Sequence, residues 1–127
     1  MSSCVLCGRP GETHHIIHRD EGGLDFPLNL ITLCHVHHRG ARGPHRNAER
    51  DLAFKRDLQH TLKELLPKEY YRAEELGKLL QLQSSLLRSL KKALKPHKEG
   101  YRSVDVLDFL LGGNHIPEEG DVAEIEE

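Results

Sequence analysis

The chain has 127 residues, a formal net charge of −2, an apolar fraction of 37% and ten histidines. That length allows one domain, or two small ones with modest cores, and no apolar run approaches the ~20 residues a membrane helix requires, so no membrane-spanning helix fits. The N-terminus shows no charged segment followed by an apolar one, so a cytoplasmic, reducing location is expected. There, three cysteines point to metal binding rather than disulfides.

The small net charge hides an asymmetry. Residues 114–127 carry six acids and no Lys or Arg, whereas Leu86 to Lys98 holds Arg88, Lys91, Lys92, Lys95 and Lys98 and no acid. Seven of the ten histidines lie at or before His45, a clustering that marks metal binding.

In chain order, residues 1–46 are rich in Gly, His and Cys. Short strands are expected at Thr13–Ile17 and Leu30–Leu33, separated by the Gly22-Gly23 loop. From Asn47, a capping residue, Phe54, Leu58, Leu62 and Leu65 recur at helical spacing until Pro67 ends the pattern. At ~1.5 Å per residue this helix is roughly 30 Å long, enough to link two modules. Tyr70 to Gly113 reads as three short helices. Leu76, Leu79 and Leu80 form the inner face of the first; the second starts near Ser84 or Ser85 and buries Leu86, Leu87, Leu90 and Leu94. After the Pro96–Gly100 break, Tyr101-Arg102 is extended and Ser103 is expected to cap a helix through Val106, Leu107, Leu110 and Leu111. The acidic residues 114–127 are expected to remain unfolded.

Cys4-Val5-Leu6-Cys7 and Cys34-His35-Val36-His37 are two pairs with x-x spacing. Together Cys4, Cys7, Cys34 and His37 suit a closed, tetrahedral and therefore structural zinc site, able to add on the order of 10 kcal/mol to folding. A closed site performs no hydrolysis, which directs attention to Glu12-Thr13-His14-His15-Ile16-Ile17, Gly22-Gly23, Asn29-Leu30 and His38. Neighbouring strand residues face opposite sides, so His14 and His15 are read as doing different work, one on an ion and one on a substrate.

The succession C-x-x-C, H-H-I, G-G, N-L, L-C-x-x-H-H over about residues 4 to 46 resembles the HNH (His-Me finger, ββα-metal) endonucleases. The resemblance implies two antiparallel strands and a helix around a divalent ion. His15 then matches the general base, His14 and His38 match metal ligands, and Asn29 matches the residue that braces the loop and orients the base. Phosphodiester hydrolysis needs a base for the attacking water and a cation near the leaving oxygen; Mg, Mn, Ni or Zn would serve. His18, where Pro often stands, is read as an extra phosphate contact or, more readily, as a bystander. Arg42 occupies the position of a further ligand histidine, and His45, in a G-x-H-x-N pattern followed by Lys55 and Gln59, is the candidate to replace it, a structural role in the loop being the alternative. Arg19, Arg39, Arg42 and Arg46 would clamp phosphates; the alternative is a solvated basic surface.

The stretch from Tyr70 to Gly113 resembles compact MerR-like or excisionase-like winged helix-turn-helix modules. That resemblance makes the helix from Ser84 to Leu94 a recognition helix, with Ser85, Arg88, Ser89, Lys91 and Lys92 toward a major groove and Lys98 and Arg102 beside the wing. A helical dimerisation or docking unit is the alternative. The whole is thus expected to be α+β: a zinc-stabilised ββα-metal nuclease domain over residues 1–66 with the helix 47–66, a mostly helical winged-helix module over 67–113, and a tail over 114–127. The implied activity is metal-dependent cleavage of DNA, of phage or mobile-element type, by a monomer or a homodimer. A non-catalytic zinc-finger and winged-helix regulator of DNA is the competing reading, and RNA is a further possible substrate.

Overall fold

The computed structural model describes residues 3–113 and 116–117. Among them are two antiparallel two-stranded sheets and five α-helices, the makings of a small α+β protein. None of these helices is long and apolar enough to cross a membrane.

The first sheet pairs β1 (Glu12–His15) with β2 (Leu30–Leu33), in a register that sets His14 opposite Ile31 and His15 opposite Leu30. The second strand coincides with its expected limits. The first ends two residues early, because Ile16 and Ile17 bond to Asn29 rather than to the ladder: Ile16 N–H donates to the Asn29 carbonyl at 2.8 Å and Ile17 N–H to the Asn29 side-chain oxygen at 2.7 Å. Ahead of β1, Cys4 N–H donates to the Arg9 carbonyl and closes the C-x-x-C knuckle, while Val5 N–H reaches Thr32 on β2. After β2 comes α1 (His35–Arg39), capped by the Cys34 sulfur, which accepts from His37 N–H.

Helix α2 (Ala48–Leu65) begins at Asn47, whose side chain accepts from Arg50 N–H at 3.0 Å, as a capping residue does. The other sheet pairs β3 (Tyr70–Tyr71) with β4 (Tyr101–Arg102) around α3 (Ala73–Leu79) and α4 (Ser84–Ala93), and α5 (Ser103–Leu110) follows. Between α3 and α4 the chain turns at Gln81, whose φ of 54° is left-handed.

Three side-chain expectations differ from the structure, the first being α4, where Leu90 is buried but Leu86, Leu87 and Leu94 are only half-buried. Leu79 is 43% exposed, because the inner face of α3 is carried by Ala73, Leu76 and Leu80. Ser103 does not cap α5: it is the first helical residue, the cap position falls to Arg102, and Ser103 N–H instead donates to the Glu69 carbonyl.

The apolar core is continuous across residue 66. Ile16, Ile17 and Phe26 join Leu58 and Leu62 of α2, Leu76 of α3, Leu90 of α4 and Val106, Leu107 and Leu110 of α5 in one buried cluster. Helix α2 is therefore packed along its length rather than a free spacer. At the seam two left-handed glycines meet: a Cβ on Gly22 (φ 88°) would stand 3.2 Å from the Cα of Gly112 (φ 83°). Residues 114–127 were expected to stay unpacked, yet Ile116 is buried and exchanges two backbone hydrogen bonds with the Gln59 side chain at 2.6 and 3.0 Å, and Arg56 donates to the Pro117 carbonyl. An apolar residue amid the acids supplies the anchor; the remainder of that expectation lies outside the described residues.

Candidate active site and metal clusters

Three groups of metal-ligating side chains lie about the first sheet, two of them sharing His14. Cys4, Cys7, Cys34 and His37 bring one ligand atom each within 4.8 Å of one another. Cys34 Sγ lies 3.3 Å from His37 Nδ1, Cys4 Sγ 3.6 Å from the same nitrogen, and Cys7 Sγ 3.6 Å from Cys34 Sγ. All three cysteines are free. Burial disfavours the Cys4 thiolate, but backbone N–H groups of Cys34, Leu6 and Cys7 and the His37 ring outweigh it and lower the thiol to about 6. At Cys7 the Arg9 backbone N–H pulls downward, while desolvation and the neighbouring Cys34 and Cys4 sulfurs prevail and raise the thiol. Crowded sulfurs of this kind are what a thiophilic cation neutralises, so the four side chains fit a structural metal.

The second cluster is built from histidines. His38 is the fourth residue of α1, so its ring turns away from His37 and toward β1. His14 Nδ1 and His45 Nε2 lie 3.2 and 2.9 Å from His38 Nε2, and the three rings meet the geometric requirement for holding an ion. On the far side of His38, Nδ1 is 2.6 Å from Glu12 Oε1, which also accepts from Arg39 Nε at 2.8 Å. These contacts, Arg39 first and His38 second, lower the Glu12 carboxyl to about 2. The ionised carboxylate accepts a hydrogen bond from His38 Nδ1–H, which leaves the Nε2 lone pair toward His14 and His45, the arrangement that commonly orients a metal-ligating histidine. Burial, followed by the neighbouring His38, His45, His18 and His15 rings, lowers His14 to about 3. Its Nε2 is buried with no hydrogen-bond partner among the described residues. Burial and the neighbouring His38 and His18 rings lower His45 as well. Burial favours the neutral form of His14 and His45, and their nitrogens together with His38 Nε2 form a donor set that fits a divalent ion.

His18 stands beside these rings and forms the third possible ligand group with His14 and Asp51. Its ring centroid is 5.4 Å from that of His14 and 5.0 Å from that of His45, and Nε2 lies 2.8 Å from Asp51 Oδ1. Asp51 in turn pairs with Lys55 at 2.8 Å, and Lys55 with Glu21 at 2.9 Å. Burial works against the Lys55 ammonium, but the Asp51 and Glu21 carboxylates raise its pKa. The pairs tie α2 to the loop beside the histidines.

His15 lines the same cavity of about 370 Å³ as His14, His18, Arg19, His38 and His45. It sits half-buried, with Nε2 2.6 Å from Asp25 Oδ1 and 3.4 Å from Arg19 Nε. Asn29 is completely buried and does not touch His15. Its Oδ1 accepts from Ile17 N–H, and its Nδ2 donates to the Ile17 and Leu24 carbonyls at 3.2 and 2.9 Å. Of the four arginines, Arg19 borders the cavity and Arg39 is held by Glu12, while Arg42 and Arg46 are exposed on the segment leading into α2. Ser85, Arg88, Ser89, Lys91 and Lys92 are exposed on α4, whose Leu90 faces the core; Lys98 and Arg102 are exposed at the following turn and strand. None of these C-terminal residues enters the histidine cavity. A separate cavity lined by Leu24, Asp25, Gln83, Ser85, Leu86 and Ser89 separates α4 from the loop that bears Asp25.

Sequence reasoning did not identify Glu12, Asp25 and Asp51 as partners of histidines. Glu12 lies two residues before His14, on the same strand face, and that spacing was a usable signal. Asp25 and Asp51 carried none, because folding alone brings them to His15 and His18.

Residues 4–41 match the family model described as HNH endonuclease. The match takes in the cysteine knuckle, both strands and α1, and ends short of His45 and α2. No curated protein and no solved structure matches the chain. At the level of the family, the match implies nuclease activity on nucleic acid.

Proposed function

We propose that the chain is a metal-dependent DNA endonuclease. In this reading residues 1–66 hydrolyse the phosphodiester and 67–113 select the DNA. The observation that carries it is the convergence of His14, His38 and His45, with nitrogens 2.9 to 3.2 Å from His38 Nε2, beside a second, chemically distinct Cys₃His cluster. A protein that only used zinc to fold would need the cysteine cluster alone.

His15 acts as the general base: a ring nitrogen takes a proton from water, the oxygen attacks phosphorus, and the 3′ oxygen departs. A divalent cation (Mg, Mn, Ni or Zn) held by His14, His38 and His45 would supply Lewis-acid stabilisation of the charge building on that oxygen. Asn29 fixes the loop from Ile17 to Leu24 and so the mouth of the cavity. Arg19 at the cavity, with Arg39 on α1 and Arg42 and Arg46 on the segment leading into α2, binds adjacent phosphates. Cys4, Cys7, Cys34 and His37 hold a structural zinc ion.

The exposed basic side chains of α4, opposite its buried Leu90, support a role for this helix in reading DNA, with Ser85, Arg88, Lys91 and Lys92 at the groove and Lys98 and Arg102 on the flanking turn. A monomer then nicks one strand and a homodimer cuts both, as suits an intracellular phage or mobile-element nuclease. Incubating supercoiled plasmid with the protein and each of Mg, Mn, Ni and Zn tests the reading. Conversion to open circle or linear DNA is expected with at least one ion, and intact plasmid under all of them would leave the non-catalytic regulator.

A further inference from the structure

We infer that Asp25 is a positioning residue for His15, and that Asn29 acts on the base through it. The inference rests on the nuclease reading above. The contact of 2.6 Å between His15 Nε2 and Asp25 Oδ1 has the length of a charge-assisted hydrogen bond. It competes with Arg19 Nε, 3.4 Å from the same nitrogen. The two contacts require opposite tautomers, since Nε2 must carry the proton to donate to Asp25 and must lack it to accept from Arg19. Length and charge decide for Asp25, whose carboxylate lies 2.6 Å from Nε2 against 3.4 Å for Arg19 Nε. The proton is thereby fixed on Nε2, and Nδ1 keeps the lone pair that a base needs.

An exposed ion pair contributes little to stability and pays side-chain entropy to hold its geometry. Asp25 is such a residue, its side chain 66% exposed, yet its backbone is anchored on both sides. Before it, the Leu24 carbonyl accepts from Asn29 Nδ2; after it, Phe26 is fully buried and its carbonyl accepts from Asn29 N–H at 2.9 Å. Asn29 thus reaches the base without touching it: it fixes the segment from Leu24 to Phe26, which places the Asp25 carboxylate, which sets the tautomer and tilt of His15.

The test uses the full chain with Asp25→Ala, Asp25→Asn and Asp25→Glu. Long-range ¹H–¹⁵N spectra of protein labelled on histidine nitrogens, with His15 assigned from a His15→Gln sample, should show His15 protonated at Nε2 in the parent. In Asp25→Ala that signal should move toward a tautomer mixture. Plasmid cleavage should lose about 10- to 100-fold in kcat with KM unchanged; Asp25→Asn should lose less, since its carbonyl still accepts, and Asp25→Glu should recover part of the rate. An unchanged His15 tautomer in Asp25→Ala, or a rate that stays level or rises on removing the carboxylate, would overturn the inference. Failure of the parent to cut with any ion would instead strike the nuclease reading, and the tautomer measurement would still decide whether Asp25 sets the ring.

Discussion

His37 and His38 are adjacent on α1 yet belong to different clusters: His37 Nδ1 lies 3.3 Å from Cys34 Sγ, and His38 Nε2 lies 3.2 Å from His14 Nδ1. A helix advances about 100° per residue, so consecutive side chains diverge. In one turn the helix links the cluster suited to hold the fold with the cluster suited to act on substrate.

The continuous core predicts that residues 1–66 do not fold alone. Truncation after Leu66 exposes Ile17, Phe26, Leu58 and Leu62, all buried in the cluster shared with α3, α4 and α5. Each buried side chain of this size contributes about 2 kcal/mol, and the loss exceeds what a small domain can spare. Circular dichroism of the truncated chain, with zinc supplied, should show no cooperative melt.

Gly23→Ala should destabilise the full chain strongly. A Cβ there would stand 1.8 Å from the Ile17 carbonyl oxygen, and Asn29 Nδ2 donates to that same oxygen. Neither the backbone nor its buried partner can yield without breaking the loop, so a loss of about 1–3 kcal/mol or more is expected. The urea midpoint should fall accordingly.

Much of this was legible in the sequence. Cysteine spacing, the leucine period of α2 and the Asn47 cap depend on local chemistry, and local chemistry can be read from residue order. The role of His45 depended on a loop bringing it to His38, and only a motif resemblance hinted at it. Asp25 and Asp51 were invisible: Asp25 reaches His15 only because the loop between the strands folds back, and Asp51 meets His18 across 33 positions. The shared core was missed for a related reason: leucine patterns show that a helix has an inner face but not what covers it.

Acid should weaken the fold through His14. Its pKa is about 3 when folded, against about 6.5 for an unperturbed histidine. The folded value is the lower one, so between those limits the unfolded chain binds the extra proton. Stability from this group is therefore intact above about 6.5 and is lost progressively as pH falls toward 3. Without added divalent ion, the thermal midpoint should decline from pH 7 to pH 4, and His14→Gln should decline less steeply.

Lys91 and Lys92 stand on the exposed side of α4, so the double change Lys91→Gln, Lys92→Gln should weaken DNA binding while leaving the melt unchanged. Titrations at several salt concentrations should give a log–log slope shallower by about one for each phosphate that the variant no longer neutralises. An unaltered slope would assign DNA selection to another surface.

The proposed function is that the histidine cluster cuts and the cysteine cluster holds the fold. Its most direct test is the initial rate of plasmid nicking by His38→Ala, in protein whose melt and cysteine-bound metal match those of the parent. The account predicts a loss of at least about 100-fold, the lower range for removing a group central to the chemistry. Nicking at the parental rate would contradict it.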